Sequence, residues 1–307
     1  MSRLDWLHRV GGSTFGGMHQ SYLEAKREID DRSLNRQVWD AVFLDPDHRD
    51  RPLRIAEIGA GTGTMVERLR AWGGFDRLQE NFPEIHYHAW EINPDTAAVL
   101  EKRLVAAPEI AEHRVFQTDA RTTVVERGYD LLIAHAVLDL FTPTQAVLLA
   151  ERLVRPGGQL YASIVFDGET LLEPDIDPVL DREILERYHR SMSGGFGRRQ
   201  MHAFHRSGWT LQATGGSDWV VPPRSGGPLE AEREVVSTVL DMMEESVIKT
   251  EAAHPCSAPF AGGVALADAP HSASPAAVRE WIQRRRDQLT AGDLLFIAHQ
   301  LDFLVRR

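Results

Sequence analysis

The 307-residue chain contains one cysteine, Cys256. A single thiol excludes an internal disulfide framework and any zinc site built from cysteines, and it suits a reducing compartment. Positive charge is also scarce: 34 Lys+Arg stand against 45 Asp+Glu, a formal net charge of −11. Broad binding to nucleic acid or anionic membranes rests on a basic footprint that this balance does not supply. No apolar run approaches the roughly 18–20 residues that span a bilayer. The longest, Leu131–Leu138, is broken by His135. Met1–Val10 carries charges where a signal peptide has its apolar core. These absences predict a soluble, cytoplasmic protein with neither a nucleic-acid nor a membrane partner. Also missing are the G-x-S-x-G elbow, the G-x-x-x-x-G-K-[ST] phosphate loop and the H-E-x-x-H metal helix. The 13 histidines include no pair at zinc spacing with a third partner, so no metal is expected.

What remains is an ordinary globular balance, 43% hydrophobic and 26% charged. Short apolar runs at 53–58, 86–92, 114–117, 129–135 and 159–166 read as strands. They alternate with helical stretches at 63–72, 94–106 and 142–154. That alternation marks βαβ units and a parallel sheet covered on both faces. Pro156-Gly157-Gly158 is a turn leading into the last of these strands. Helices are expected at 178–193 and 198–207, followed by a hairpin of Trp209–Thr214 and Asp218–Val221 around Gly215-Gly216. Further helices are expected at 17–44, 229–249 and 275–307, the last carrying His299, Gln300 and Asp302 in an otherwise apolar face.

The expected architecture is therefore α/β and doubly wound, with a mostly parallel, seven-stranded sheet closed by an antiparallel hairpin. A helical N-terminal arm over 1–50 precedes a Rossmann-like core over 51–222, which holds an insertion at 166–207. A helical C-terminal extension over 223–307 follows.

The sharpest chemical signal is Ile55-Ala-Glu57-Ile-Gly59-Ala60-Gly61-Thr-Gly63-Thr-Met65, where a strand runs into a glycine loop and a helix. Such glycines allow a tight turn and close approach of a ligand to the backbone. The third glycine arrives one residue too early for the dinucleotide fingerprint G-x-G-x-x-G. Glu57 would repel a pyrophosphate but suit a cationic amino group. The pattern E-x-G-x-G-x-G resembles motif I of the class I S-adenosylmethionine-dependent methyltransferases. That resemblance implies a loop around the methionine part of the cofactor, with Glu57, Gly59, Ala60, Gly61 and Gly63 contributing.

Three further landmarks follow in the family's order. Trp90-Glu91-Ile92 ends the second strand; the resemblance makes Glu91 the ribose acceptor, through its two carboxylate oxygens, and Ile92 an adenine contact. Asp119-Ala120 lies after the third strand and resembles the family's adenine-reading pair. His135, at the end of the fourth strand, stands where the transferred methyl group is expected, with Asp139 one turn later. It reads as a general base, a donor to the cofactor carboxylate or a packing residue. Leu153-Val-Arg-Pro156-Gly-Gly158-Gln-Leu matches the family's lead into strand five. The resemblance covers about 53–166, and more loosely 198–222.

It implies a methyltransferase that uses S-adenosylmethionine, releases S-adenosylhomocysteine and acts on an oxygen, nitrogen or carbon nucleophile of a small molecule. His135, then His189 or His202, are the candidate bases. Tyr188, Arg198 and Arg199 are the candidate acceptor contacts, and Arg27, Arg32 and Arg36 of the arm could reach the methionine carboxylate. The asparagine-proline-proline-aromatic tetrad of amino-methylating nucleic-acid enzymes is absent; His135-Ala-Val-Leu138 stands in its place. A protein acceptor and a nicotinamide-dependent oxidoreductase are the alternatives, and a homodimer is left open.

Overall fold

The computed structural model describes residues 16–44, 50–122, 128–192, 195–253 and 273–307. Cys256, singled out above, lies outside them. The arm forms α1 (Gly16–Ser33) and the short α2 (Arg36–Ala41). β1 (Leu53–Ile58) leads through the glycine loop into α3 (Thr64–Ala71) and α4 (Gly74–Gln79). There follow β2 (Ile85–Trp90), α5 (Pro94–Val105), β3 (Glu112–Phe116), β4 (Tyr129–His135), α6 (Pro143–Leu153) and the 20-residue β5 (Val154–Glu173). The remainder comprises α7 (Pro178–Ser191), α8 (Gly197–Arg206), β6 (Thr210–Gly216), β7 (Trp219–Val221), α9 (Glu230–Ala253), α10 (Pro275–Ala291) and β8 (Leu295–Arg306).

The sheet order is β3-β2-β1-β4-β5-β8-β6, with β7 paired to β8. β1 to β5 run parallel, and β8 runs antiparallel to β5, β6 and β7. β1 and β4 are buried along almost their whole length, which is why they read as continuous apolar runs. Local chemistry sets the helix starts. The Asn93 side chain accepts from the Asp95 and Thr96 amides ahead of α5, and Thr142 and Gln145 form a capping box at α6.

Two expectations change here. The last helix does not run over 275–307. It stops at Ala291, with Gly292 at φ +80° as its left-handed cap, and Leu295–Arg306 is a strand. This strand lies between β5 and β6, so both its edges are hydrogen-bonded. Its buried alternation runs through Phe296, Ala298, Gln300 and Asp302. Two polar residues in the buried set hide the period of two from a hydropathy reading. The segments 209–214 and 218–221 also do not pair with each other: β6 lies along Leu301–Arg306 and β7 along Phe296–Ala298 of β8. The antiparallel edge is there, but its hub is β8.

β5 and β8 continue together past the parallel core, pairing as far as Glu173 and Leu295. On this ribbon α1, α7, α9 and α10 build their own apolar cluster, with Trp281, Ile282, Val235, Leu240, Met243 and Phe296 at its centre. β5 bends twice to get there, with register shifts between Ala162 and Val165 and between Phe166 and Thr170. At the first, Ile164 takes φ +55°, an outlier for a β-branched residue, while its N–H donates to Asp302 Oδ1 at 2.7 Å.

Gly63, the N-cap of α3, has φ +86°, and a Cβ there would lie 2.9 Å from Leu100 Cδ1 on α5. Gly63→Ala should cost about 1–2 kcal/mol. Calorimetry should then show Tm lower by a few degrees; an unchanged Tm would mean that the loop has another conformation open to it.

Candidate active site

A deep cleft opens at the carboxyl ends of β1, β2 and β4, the position where open α/β sheets take their ligands. Its floor is the glycine loop. Gly59 has φ +62°, and a Cβ on it would come within 2.7 Å of Val137, so only a residue without one lets β1 turn so close to the end of β4. Glu57, Gly59, Ala60, Gly61, Glu91, Ile92, Asp119, Ala120 and His135 all line the cleft. Gly63 does not; it holds the shape of the loop from behind as a helix cap.

Each acid has a distinct environment. Glu91 accepts the Gly61 amide at Oε2 and the Asn93 amide at Oε1, both at 2.8 Å. Two backbone bonds leave each carboxylate oxygen a lone-pair direction to spare. The neighbouring Ile92 is 38% exposed, an apolar face presented to the cleft. Glu57 is buried and accepts from the Tyr87 hydroxyl at 2.7 Å. Burial pushes its pKa up to about 8, against the opposing pull of the Tyr87 bond and of Arg68. Asp119 accepts from the Arg121 guanidinium, with Nε at 3.0 and 2.8 Å from its two oxygens, so any ligand amine there shares this carboxylate with Arg121.

His135 is more enclosed than its place in the sequence suggests. Nε2 lies 2.9 Å from Asp30 Oδ2 and 3.0 Å from Arg68 Nη1, and Nδ1 lies 2.9 Å from Ser163 Oγ. With Nε2–H donating to Asp30, Nδ1 accepts from Ser163; with the other tautomer, Nε2 accepts from Arg68 and Nδ1 donates to Ser163. Either way both nitrogens are held within the protein. Burial first, and Arg68 second, push the ring's pKa down to about 3, so the imidazole is neutral. A base role at His135 would require this network to open.

Two cleft residues escaped the sequence reading. Lys26 and Asp30 of α1 form an ion pair and are 6% and 2% exposed. Asp30 also accepts the Trp219 indole N–H at 2.9 Å, and Arg68 Nη2 stands 3.6 Å from it. In sequence a Lys and an Asp four apart read as a solvated pair on a helix face. What signal there was lay in the stripe Tyr22, Lys26 and Ile29, whose buried face carries the lysine with it. The three arginines of the arm point elsewhere: Arg27 to Glu67, Arg32 to Glu232, and Arg36 over the Trp72 ring.

The acceptor-side candidates separate. His202, Arg198 and Arg199 line a surface groove between α6 and α8, apart from the cleft. The reason is the stripe Gly197, Gln200 and Phe204, which α8 buries against the sheet. That turns 198, 199 and 202 outward, and Arg198 pairs with Asp167 at 2.7 Å. His189 packs 5.8 Å from the Phe166 ring and lines neither cavity. Tyr188 does line one: a narrow second pocket that shares Lys26, Ala136 and Met242 with the lining of the cleft.

A glycine loop, a strand-end carboxylate and an apolar shelf at successive strand ends define the class I methyltransferase fold and its cofactor cleft. A family model described as "Putative S-adenosyl-L-methionine-dependent methyltransferase" matches residues 36–204. That is more than half of the chain, and the chain belongs to this family. It is an S-adenosylmethionine-dependent methyltransferase, with S-adenosylhomocysteine as its product. Among curated proteins it is similar to the hybrid PKS-NRPS synthetase gkaA of Penicillium citrinum, at 29% identity over 120 residues. That match covers 37% of this chain and only 3% of the length of the synthetase. Among solved structures it resembles "a putative methyltransferase (BH2331)" from Bacillus halodurans at TM-score 0.50 and 11% identity, covering 89% and 99% of the two chains. A Geobacter sulfurreducens SAM-dependent methyltransferase in complex with S-adenosylhomocysteine aligns at TM-score 0.43 and 12% identity, covering 88% and 89%. Among the described residues, no helix is long and apolar enough to cross a membrane.

Proposed function

We propose that the chain methylates a small molecule held between the cofactor cleft and the narrow pocket beyond Ala136. The observation that carries this is the pocket itself: it lies under α1, α7 and α9 and is lined mainly by buried apolar side chains. A cavity of about 30 Å³ bordering a cleft of about 190 Å³ admits a small group of an acceptor and not a folded protein surface. The donor set suits the cofactor. Glu91 takes the ribose hydroxyls, Ile92, Asp119 and Ala120 take the adenine, and Glu57 and Lys26 face the amino-acid end. Bound there, the cofactor supplies an electrophilic methyl group on a sulfonium. The chain's own contribution is positioning and exclusion of water, worth on the order of 7–11 kcal/mol when two reactants are held near attack distance. Methyl-labelled S-adenosylmethionine incubated with the protein and cell extract should give, against extract alone, a new labelled compound chromatographically distinct from the cofactor in the fraction below about 3 kDa, a cut-off that passes metabolites and retains folded domains. Label appearing only in protein-sized material would sink this reading and favour a protein acceptor.

Glu57 makes cofactor affinity depend on pH. In the ligand-free protein its carboxyl titrates at about 8, so at pH 7 it is largely neutral. A cationic amino group binds better to the ionised form. Affinity for S-adenosylhomocysteine should therefore rise several-fold from pH 7 toward pH 9 and fall above it, where the ligand's own ammonium loses its proton. Because the folded pKa lies above the unfolded value of 4.5, ligand-free stability should fall as pH rises between those two values. Glu57→Gln should remove both slopes. Calorimetric titrations across that pH range decide it, and a flat profile for the unsubstituted protein would remove Glu57 from cofactor binding.

A further inference from the structure

The arginines that turn away from the cleft belong to a feature of their own. α6 and α8 lie side by side, and the groove between them holds about 800 Å³ of space open to solvent. Its walls are helical rows: Arg199, His202 and Arg206 on α8, and Thr144, Leu148 and Glu151 on α6. Both repeat at intervals of three or four, so each wall is a single stripe of its helix. The α8 stripe is cationic. Gly197–Arg206 contains no acid, and Arg199, His202 and Arg206 are all exposed. Arg198 is taken by Asp167, but neither Arg199 nor Arg206 has an ion pair among the described residues. Arg199 lies over the Phe196 ring, 5.0 Å from its centroid. The α6 stripe is apolar at its centre, where Leu148 is 61% exposed and Val147 lies beside it. Glu151, in the last turn of α6, is the single carboxylate among the described residues of the lining.

We infer that this groove docks an acidic amphipathic helix of a partner protein, its carboxylates on Arg199 and Arg206 and its apolar ridge on Leu148. A cationic wall facing an apolar one calls for an occupant that is both anionic and apolar. From Pro143 to Glu151 the groove runs about 12 Å, roughly two turns of a helix. An amphipathic helix laid into a groove of this kind is a recurrent way of recognising a peptide. A lone phosphate or carboxylate would use the cations and leave Leu148 in water. A nucleic acid needs a longer basic track than two unpaired arginines. Charge elsewhere on the chain sharpens the choice. With a net charge of −11, the protein repels an acidic partner from the rest of its surface and steers it to this strip. The groove lies apart from the cofactor cleft, so this docking does not depend on what the methyl acceptor is.

The test uses the full chain and two fluorescein-labelled peptides of about 16 residues, long enough to take up a helix. Both carry leucines at i, i+3 and i+7 spacing; the remaining positions are rich in glutamate in one and in lysine in the other. Fluorescence anisotropy should give at least about tenfold tighter binding of the glutamate peptide, weakening several-fold as salt is raised. Arg199→Glu combined with Arg206→Glu should reverse the preference in favour of the lysine peptide, an outcome that misfolding cannot imitate. Leu148→Ser should weaken the glutamate peptide several-fold without changing its salt dependence. Equal binding of the two peptides by the unsubstituted protein overturns the inference whether or not the variants fold. So does failure of the glutamate peptide to bind, or an unchanged preference in the folded double variant. Vesicles containing phosphatidylserine supply the last arm: the chain should stay in the supernatant when they are sedimented. Co-sedimentation that the double variant abolishes would make this a membrane-facing strip and overturn the protein partner.

Discussion

Glu91→Ala is expected to weaken S-adenosylhomocysteine binding by roughly 100- to 1000-fold, with the protein still folded. A hydrogen bond to a charged group is worth about 1.5–3 kcal/mol, and two ribose hydroxyls on one carboxylate lose both at once. Glu91 also accepts the Gly61 and Asn93 amides, so it fixes the glycine loop and the start of α5 toward each other before any ligand arrives. Alanine removes the ribose acceptor and the preorganisation together. Glu91→Gln keeps one acceptor oxygen and should lose about tenfold. Calorimetric titration separates these outcomes, with circular dichroism and Tm as controls for folding. Unchanged affinity in the alanine variant would place the ribose elsewhere.

Asp30→Ala should be among the most destabilising single substitutions in the described chain, at about 3–5 kcal/mol. The value follows from removing one member of a buried ionic cluster and leaving its partners charged. Lys26 and Arg68, both buried, would keep their charges without this carboxylate between them, and the Trp219 indole would lose its acceptor. Burial alone would raise the Asp30 pKa, but Lys26, His135 and Arg68 outweigh it and hold the carboxyl below the ordinary carboxylate range. A depressed folded pKa stabilises the protein above the unfolded value of 3.8, and that stabilisation declines as pH falls below it. Asp30→Asn keeps an acceptor for Trp219 and should cost less than the alanine. Urea denaturation at pH 7 measures both. A loss under about 1 kcal/mol for the alanine variant would mean that the cluster is solvated and that α1 does not close the cleft.

The same cluster shows why part of the site could not be read in advance. Glu57, Glu91, Asp119 and His135 each stand at or just past the end of a strand, and the glycine loop marks which end of the sheet matters. A strand end is a local property, written in a short apolar run and the residue that stops it. Lys26 and Asp30 have no such marker. Their i,i+4 spacing looks the same on a solvated helix as on a helix pressed over a cleft. Arg198 and Arg199 fail in the opposite sense. Two arginines beside glycines suggest an anion site, yet α8 buries Gly197, Gln200 and Phe204, and its arginines turn outward. Gln300 belongs with Lys26 and Asp30: a polar residue in an apolar segment acquires meaning only from the neighbouring strands.

By itself, the sequence determined the parallel core from β1 to β5, the cofactor class and the order of the residues along its cleft. These rest on backbone chemistry spanning a few residues: glycines where φ must be positive, side-chain caps at helix starts, and apolar runs where strands are covered on both faces. Tertiary structure decided the rest. It made Leu295–Arg306 a strand between β5 and β6, buried the α1 ion pair and assembled a mainly apolar pocket from distant segments. Each of those outcomes depends on which distant surface a segment meets, and burial of that kind leaves no periodic trace when the buried residues are themselves charged or polar.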